Sequence, residues 1–464
     1  MVTTYLAAFG GALLLALLLT PVVRRAALAL GAVDHPGARK LHQRPVPRLG
    51  GAAVLGAVTL TVAAALWLNT GLHPAVAGGL GAVRWSVLAI AALLVVGLGA
   101  VDDLSGLSPR FKFIFEIAAA TAVVVVAGAP RAIDFSPFAG PLQLGFVGPV
   151  LGVLWIVAIT NAVNMSDGVD GVAAGICAIT AVPLALASFS LGNTIAATVL
   201  FALSGALLGF LPHNFRTPKT FLGDSGSLGI GFILGSASLV GLDHGGAWLA
   251  VPALLILALP LTEVGLTVLR RIVLALKVVR SDLPRERFVL HSKRPGLFVA
   301  DQRHIPHRLL ALGIGSGGAL AVLYVVTATL GVLGYLTLRW SMLGPIAALI
   351  ALAAIVYFMP RWLYEELRLL ERGAFLPILD NSLIRNRWLH ATYDAVVVAL
   401  SYLVAEVLVR GTAVLQMDGA LWLRAATVTG AAVCGFWLAG LYRVACRHAG
   451  IAEVLRASRS ALLG

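Results

Sequence analysis

Charge is scarce in this chain. Asp, Glu, Lys and Arg make up 12% of its 464 residues, about half the share of an ordinary soluble domain. Hydrophobic residues make up 59%, and the mean hydropathy is +0.94. So little charge excludes a soluble enzyme, a disordered chain and a fibre. The apolar residues come in long runs rather than in alternation, which argues against a porin-type barrel. A polytopic helical membrane protein remains. Cysteine is scarce too. Cys177, Cys434 and Cys446 lie in or beside apolar runs without a CxxC partner, so neither a disulfide framework nor a zinc site is indicated. Acidic residues are the rarer sign: 21 against 34 basic ones, for a net charge of +13. In a soluble protein that balance would suggest nucleic acid. Here it reads as the Lys/Arg excess of cytoplasmic loops, and no nucleic-acid partner is expected.

Residues 1–21 are uncharged and apolar, and Arg24 and Arg25 follow them. A secretory signal carries its positive charge ahead of the apolar run, so this segment reads as a retained first span with its N-terminus outside. Further apolar runs centre near residues 60, 92, 121, 154, 180, 203, 234, 260, 322, 350, 400 and 432. At roughly 20 residues per span, they predict an all-α polytopic transmembrane protein with about 11 core spans and about 2 C-terminal spans. The run over 246–279 is long enough to extend past the bilayer. Loops after odd-numbered spans hold Arg39, Lys40, Arg44, Arg48, Arg110, Lys112, Arg216, Lys219 and the basic residues of 280–308 and 361–387. Loops after even-numbered spans hold little beyond Arg84, Arg131 and Arg339. The positive-inside rule puts the odd loops and the C-terminal segment in the cytoplasm. The expected location is therefore the inner (cytoplasmic) membrane, multi-pass.

The odd loops also collect the unusual polar residues. They fall in five segments, 34–51, 102–109, 161–171, 214–227 and 303–308. Asp102, Asp103, Asp167, Asp170 and Asp224 on one face, at membrane depth, would repel one another unless neutralised. A divalent cation does this, and oxygen-only ligands favour Mg2+ or Mn2+. Lys40, Arg110, Lys112, Arg303 and the histidines His304 and His307 suit phosphates. Metal, carboxylates and basic residues together are the components of phosphoryl transfer.

Taken singly, each segment has a simpler explanation. Asp102 and Asp103 end an apolar run and read as solvated interface residues. The stretches at 167–171 and 223–226 read as helix starts, where acidic residues and caps are favoured. His304 and His307 read as surface residues at a helix start, and Arg39-Lys40 as positive-inside charge. Their joint occurrence on one face argues for a cytoplasmic active site. The 50 glycines read as close helix packing, and the aromatic residues as interface and lipid-facing surface.

These segments resemble the polyprenyl-phosphate N-acetylhexosamine-1-phosphate transferases, in order and spacing, across about residues 1–335. The family's first loop reads like D-x-P-x-x-R-K-x-H-x-x-P-x-P-R-x-G-G, matched at 34–51. The second reads like D-D-x-x-x-L-S-P, at 102–109, and the third like N-x-x-N-x-x-D-G-x-D-G, at 161–171. The fourth is an Asn followed by P-x-K-x-F-x-G-D-x-G-S, at 214–227. The resemblance implies attack by a polyprenyl (undecaprenyl) phosphate on the β-phosphorus of a UDP-sugar. UMP leaves and a polyprenyl-diphospho-sugar forms, with Mg2+ or Mn2+ required.

Residue by residue, the resemblance implies Asp224 as direct metal ligand, with Asn164 close to the metal or diphosphate. It places Asp102 and Asp103 beside the metal and the lipid phosphate, Asp102 being the better candidate base. Asp167 and Asp170 belong to the nucleotide-sugar site, Asp170 near the uracil. Lys40, Asn214 and Phe221 match nucleotide-contacting positions, Phe221 by stacking on the base. Arg303, His304 and His307 match the phosphate-binding fifth loop. That loop usually reads like H-I-H-H-R-L in the sugar branch; Pro306 stands here in place of its second His, removing an imidazole and a backbone donor.

The expected domains are a transferase core over 1–360, an amphipathic cytoplasmic linker over 361–390 and a two-span extension over 391–464. The extension resembles the membrane anchor of polysaccharide-biosynthesis epimerases and dehydratases, but no dinucleotide fingerprint follows it. A homodimer contact, a polysaccharide-synthesis partner and two plain lipid-packed helices are its open readings. Two other function classes stay open as well: a lipid or sugar transporter, and an inactive assembly scaffold. Against the first, the polar residues sit in loops on one face rather than at mid-membrane. Against the second, the aspartates are all retained.

Overall fold

The computed structural model describes residues 2–34, 45–68, 79–134, 142–215, 218–244, 247–265, 267–268 and 315–338, with isolated positions between 395 and 434. The chain divides into two compact units, Met1–Arg339 and Trp340–Gly464. Of the second, only isolated helical positions are described, and the linker over 361–390 lies outside the described residues.

Helices dominate the first unit. In chain order they are α1 (Val2–Ala29), α2 (Gly50–Trp67), α3 (Gly79–Ser105), α4 (Pro109–Ala127) and α5 (Val147–Ser166). After them come α6 (Val172–Ser190), α7 (Thr194–Asn214), α8 (Gly223–Gly241), the short α9 (Ala250–Ile256) and α10 (Ser316–Leu336). Among the described residues, seven helices are long and apolar enough to cross a membrane: α1, α2, α3 from Val83, α5, α6, α7 and α10. The protein is a multi-pass helical membrane protein. Helices α4 and α8 cover the runs near 121 and 234. The first carries Arg110, Lys112 and Glu116, and the second is dense in glycine and serine, so composition alone does not mark either as a span. The runs near 350, 400 and 432 lie outside the described residues, apart from isolated positions.

The structure departs from the sequence expectation in one place and adds a feature in another. First, the fold is not purely α. Strand β1 (Val33–Asp34) pairs antiparallel with β2 (Val46–Pro47) after α1. At the other end of the bundle, β3 (Ala132–Asp134), β4 (Leu142–Gln143), β5 (Asp243–His244) and β6 (Ala247–Leu249) form a sheet of order β4-β3-β6-β5. The parallel pairing of β3 with β6 ties the loop after α4 to the loop after α8. Loop backbone at the membrane margin must find partners for its N–H and C=O groups, and short ladders supply them. Periodicity cannot reveal strands of two or three residues. Second, the apolar run over 246–279 does not begin as one continuous helix. It breaks at Leu257 after α9 and resumes at 258. Pro260 has no N–H to return to the carbonyl of Ile256, which weakens the helix there.

Helix α8 is the centre of the bundle, with α2, α3, α4, α5, α6 and α7 all packed against it. Most of its residues are buried, including Ser225, Ser227, Leu228, Ile230, Phe232 and Leu234. A helix this rich in glycine and serine is stable inside a ring of apolar helices because small residues let neighbouring backbones approach closely. A Cβ on Gly51 of α2 would overlap the backbone of Gly226, and one on Gly99 of α3 would overlap the backbone of Asp224. On the far side, Trp155 stacks edge-on against Trp248 with centroids 4.7 Å apart, and the Trp155 indole N–H donates to Ser238 Oγ at 2.9 Å.

These contacts make a stability prediction. Gly51→Ala inserts a methyl where two backbones touch and should cost about 1–3 kcal/mol or more, read as a lower thermal unfolding midpoint in detergent. Gly10→Ala on α1 meets nothing within 4 Å and should leave the midpoint unchanged. Equal effects would contradict this account of the α2–α8 contact.

Candidate active site

The loops after α1, α3, α5 and α7 meet at one end of the bundle, opposite the four-stranded sheet. The first is closed at its base by the β1–β2 ladder and by an ion pair between Arg48 and Asp34. It is then stitched to the fourth. Phe221 N–H donates to Pro47 O at 2.8 Å, while Gly50 and Gly51 N–H donate to Phe221 O at 2.9 Å and Leu222 O at 2.7 Å. The first N–H groups of α2 are thereby satisfied without a side-chain cap. The bend that permits this places Leu49 at φ +59°, a costly conformation for a leucine that the surrounding bonds hold in place.

The start of α8 is capped from another helix. Gly223 adopts φ +74°, and a Cβ there would meet the Asp103 carboxylate. Asp103 Oδ1 accepts Asp224 N–H at 2.9 Å and Oδ2 accepts Ser225 N–H at 3.0 Å. A carboxylate at a helix N-terminus is favoured both by these bonds and by the macrodipole. Asp103 is buried, so both of its oxygens are committed to holding Asp224 in position.

Asp224 itself faces three helices. Its Oδ2 accepts from Lys112 Nζ at 2.6 Å, and its Oδ1 accepts from Asn164 Nδ2 at 3.2 Å. Lys112 also donates to Asp102 Oδ2 at 3.0 Å, and Asp102 Oδ1 accepts Leu107 N–H at 2.6 Å. One ammonium therefore bridges two carboxylates. Lys112 reaches this point because Ser108 caps α4, its side chain accepting Phe111 N–H, with Pro109 in the first turn. Beside the cluster, Asn161 Nδ2 on α5 donates to Glu116 Oε2 on α4 at 2.5 Å.

The third and fourth loops are joined by Asn214. Its Oδ1 accepts Gly171 N–H at 2.9 Å and its Nδ2 donates to Thr220 O at 3.1 Å. Tyr324 of α10 adds a second fastening, its hydroxyl donating to Gly171 O at 2.7 Å. Asp167 lies in the same loop. Burial holds its carboxyl well above the usual carboxylate range, and the charges of Asp224, Asp103 and Asp170 push in the same direction.

Of the residues expected from sequence, Asp102, Asp103, Asp224 and Asn164 are brought into one hydrogen-bonded cluster, and Asp167 and Asp170 lie electrostatically close to it. Asn214 and Phe221 border it, Asn214 with its amide engaged by backbone. Lys40, Arg303, His304 and His307 lie outside the described residues. Sequence reasoning did not single out Glu116 or Tyr324, and counted Lys112 only as one of several phosphate-suited bases. A signal was present: Lys112 and Glu116 stand four apart in a helix that is apolar apart from Arg110 and Thr121, and ionisable residues at such positions mark function.

Among the described residues, no three His, Cys, Asp or Glu side chains converge closely enough to hold a metal ion by themselves. The donor set nonetheless fits Mg2+ or Mn2+. Asp102 and Asp224 present oxygens to one point that a cation, the Lys112 ammonium, already fills. Mg2+ is commonly bound by one or two carboxylates together with substrate phosphates and water.

The architecture and the site define a class: a multi-pass membrane protein with a cluster of paired carboxylates at one end of its bundle. Comparison with known proteins makes it specific. The glycosyl transferase family 4 profile matches residues 85–242. The chain is 32% identical over 323 residues to the probable undecaprenyl-phosphate N-acetylglucosaminyl 1-phosphate transferase of Bacillus subtilis, covering 69% of this chain and 81% of that protein. It is 34% identical over 323 residues to the decaprenyl-phosphate N-acetylglucosaminephosphotransferase of Mycolicibacterium smegmatis, covering 65% and 74%. A phospho-N-acetylmuramoyl-pentapeptide-transferase of Synechococcus is 33% identical over the shorter span of 249 residues, 51% of this chain and 67% of that protein. The chain belongs to the polyprenyl-phosphate N-acetylhexosamine-1-phosphate transferase family and is an enzyme of the phosphotransferase class.

The two neighbouring carboxylates should respond unequally to removal. Asp103→Ala orphans two buried N–H groups and should cost about 1–3 kcal/mol. Asp224→Ala relieves repulsion between carboxylates and should cost far less. Thermal unfolding of both variants in detergent decides this; a larger loss for Asp224→Ala would count against the capping role of Asp103.

Proposed function

We infer that the protein transfers N-acetylglucosamine-1-phosphate from a UDP-sugar to a polyprenyl phosphate, beginning a cell-envelope glycan on the cytoplasmic face of the inner membrane. One observation carries this reading. The Asp102–Lys112–Asp224 cluster lies where the four segments that resemble the family's motifs converge. Both substrates are anionic phosphates, and their approach needs positive charge at the point of attack.

In the reaction an oxygen of the lipid phosphate forms a bond to the β-phosphorus of the UDP-sugar. The bond from that phosphorus to the bridging oxygen breaks, and UMP leaves with the electron pair. Asp224 and Asn164 are the residues that would hold Mg2+ or Mn2+, with Asp102 adjacent; the bound metal supplies charge neutralisation between the phosphates. Asp103 keeps Asp224 in place. Asp102 is positioned to take a proton from the lipid phosphate, but the demand is modest because the second ionisation of a phosphate monoester lies near about 6. Asp167, Asp170 and Phe221 are assigned to the nucleotide-sugar side, Asp170 towards the uracil and Phe221 by stacking on the base. Asn214 fastens the two loops that carry them. Lys40, Arg303, His304 and His307 are assigned to phosphate contacts by their match to the family pattern. The names of the relatives support N-acetylglucosamine as the sugar, and Pro306 makes a panel of UDP-sugars the proper test.

That test is UMP release by the purified protein in detergent. Release should require the UDP-sugar, undecaprenyl phosphate and Mg2+ together, and chelation should abolish it. Asp224→Ala should reduce kcat by more than Asp102→Ala does, since a lost metal ligand outweighs a lost weak base. No release with any UDP-sugar from folded protein would overturn the assignment, and equal or reversed damage in the two variants would overturn the division of roles.

A further inference from the structure

The mechanism leaves a buried carboxylate unused. Glu116 is 2% exposed and lies one helical turn beyond Lys112 on α4. It accepts a hydrogen bond from the Asn161 amide, while the charges of Lys112 and Asp224 both act on it. Residues four apart on a helix share a face, so the flexible Lys112 stem can place its ammonium at either carboxylate site. Asn161 and Asn164 repeat the arrangement on α5, one amide on Glu116 and the other on Asp224. The cluster therefore presents two anionic positions in series along α4, and Lys112 occupies the outer one, nearer the start of the helix.

That outer position is also where the donor set fits a divalent cation. An ammonium and a metal ion cannot share it, because both carry positive charge and both need the same carboxylate oxygens.

We propose that Lys112 is a movable counter-ion. Its ammonium holds Asp102 and Asp224 together before the divalent cation binds, and withdraws to Glu116 when the cation takes its place. The proposal rests on the metal-dependent reading above. Glu116 is then a positioning residue that acts through Lys112, without contact to substrate. The arrangement keeps two carboxylates close in the absence of metal, and keeps a positive charge beside them in its presence.

The test uses the full-length protein in detergent and Mn2+ alone as the probe, with binding read by the loss of the free-ion magnetic resonance signal. Lys112→Met removes the competitor and should tighten Mn2+ binding by about tenfold. Glu116→Gln keeps the shape and the bond from Asn161 but removes the charge that receives the ammonium, and should weaken Mn2+ binding by about the same factor. In the double variant the Glu116→Gln effect should vanish, because nothing is left to be received. Weaker or unchanged Mn2+ binding in Lys112→Met would overturn the proposal, and this arm stands even if Glu116→Gln does not fold. An equal Glu116→Gln effect in both backgrounds would also overturn it, since that is the signature of a fixed charge. Wild-type protein that takes up no Mn2+ would instead overturn the metal reading itself, and the proposal with it.

Discussion

The site exists because carboxylates that repel one another are held together at the N-terminus of a buried helix. Asp103 and Asp224 meet at the first turn of α8, where one accepts the backbone N–H of the other. Several terms offset the repulsion. The unpaired N–H groups and positive end of α8 favour an anion there, and the Lys112 ammonium is shared between Asp102 and Asp224. Partly buried charges are expensive unless paired and hydrogen-bonded. Each oxygen of Asp102, Asp103 and Asp224 has a donor within 3.2 Å. The balance still leaves more negative than positive charge in the cluster, which is the electrostatic condition for admitting a divalent cation.

The rest of the bundle is arranged around that helix end. Helix α8 can sit in the middle because glycine and serine let α2, α3 and α5 approach its backbone, at Gly51, Gly99 and Gly231 respectively. The same contacts fix the depth at which Asp224 sits relative to Asp102 and Lys112. A bulkier α8 would push α3 outward and separate the two carboxylates. Fold stability and site geometry therefore rest on the same small side chains. The sheet at the opposite end secures the loops that carry no site residues, leaving the site end to be held by hydrogen bonds between loops.

Much of this was legible in the sequence. The long apolar runs, the segregation of polar residues into alternate loops, and four spaced motifs placed Asp102, Asp103, Asn164, Asp167, Asp170 and Asp224 on one face, where the described structure puts them. The short ladders were not legible, because strands of two or three residues carry no periodic signal and form only when distant loops meet. The Leu257 break was hidden inside a continuous apolar run, where composition outweighs a single proline. Asn214 shows a subtler limit. A motif marks a position as special but does not say whether its side chain faces a ligand or fastens backbone, and this amide spans Gly171 and Thr220.

The adjacent pair Asp102-Asp103 makes the same point in physical terms. Successive residues on a helix point about 100° apart, so two identical side chains in tandem face different directions. Asp103 turns towards α8 and spends both oxygens on its backbone. Asp102 turns towards α4 and pairs with Lys112, leaving it 13% exposed at the edge of the cluster. Chemistry that needs a carboxylate to exchange protons or approach a phosphate would fall to Asp102, which is partly exposed and paired with a flexible lysine, rather than to Asp103, which is buried on backbone N–H groups. The dipeptide is thus one side chain that holds the start of α8 and one that stays at the edge of the cluster. Helix geometry assigns them, given only that α4 and α8 flank the end of α3.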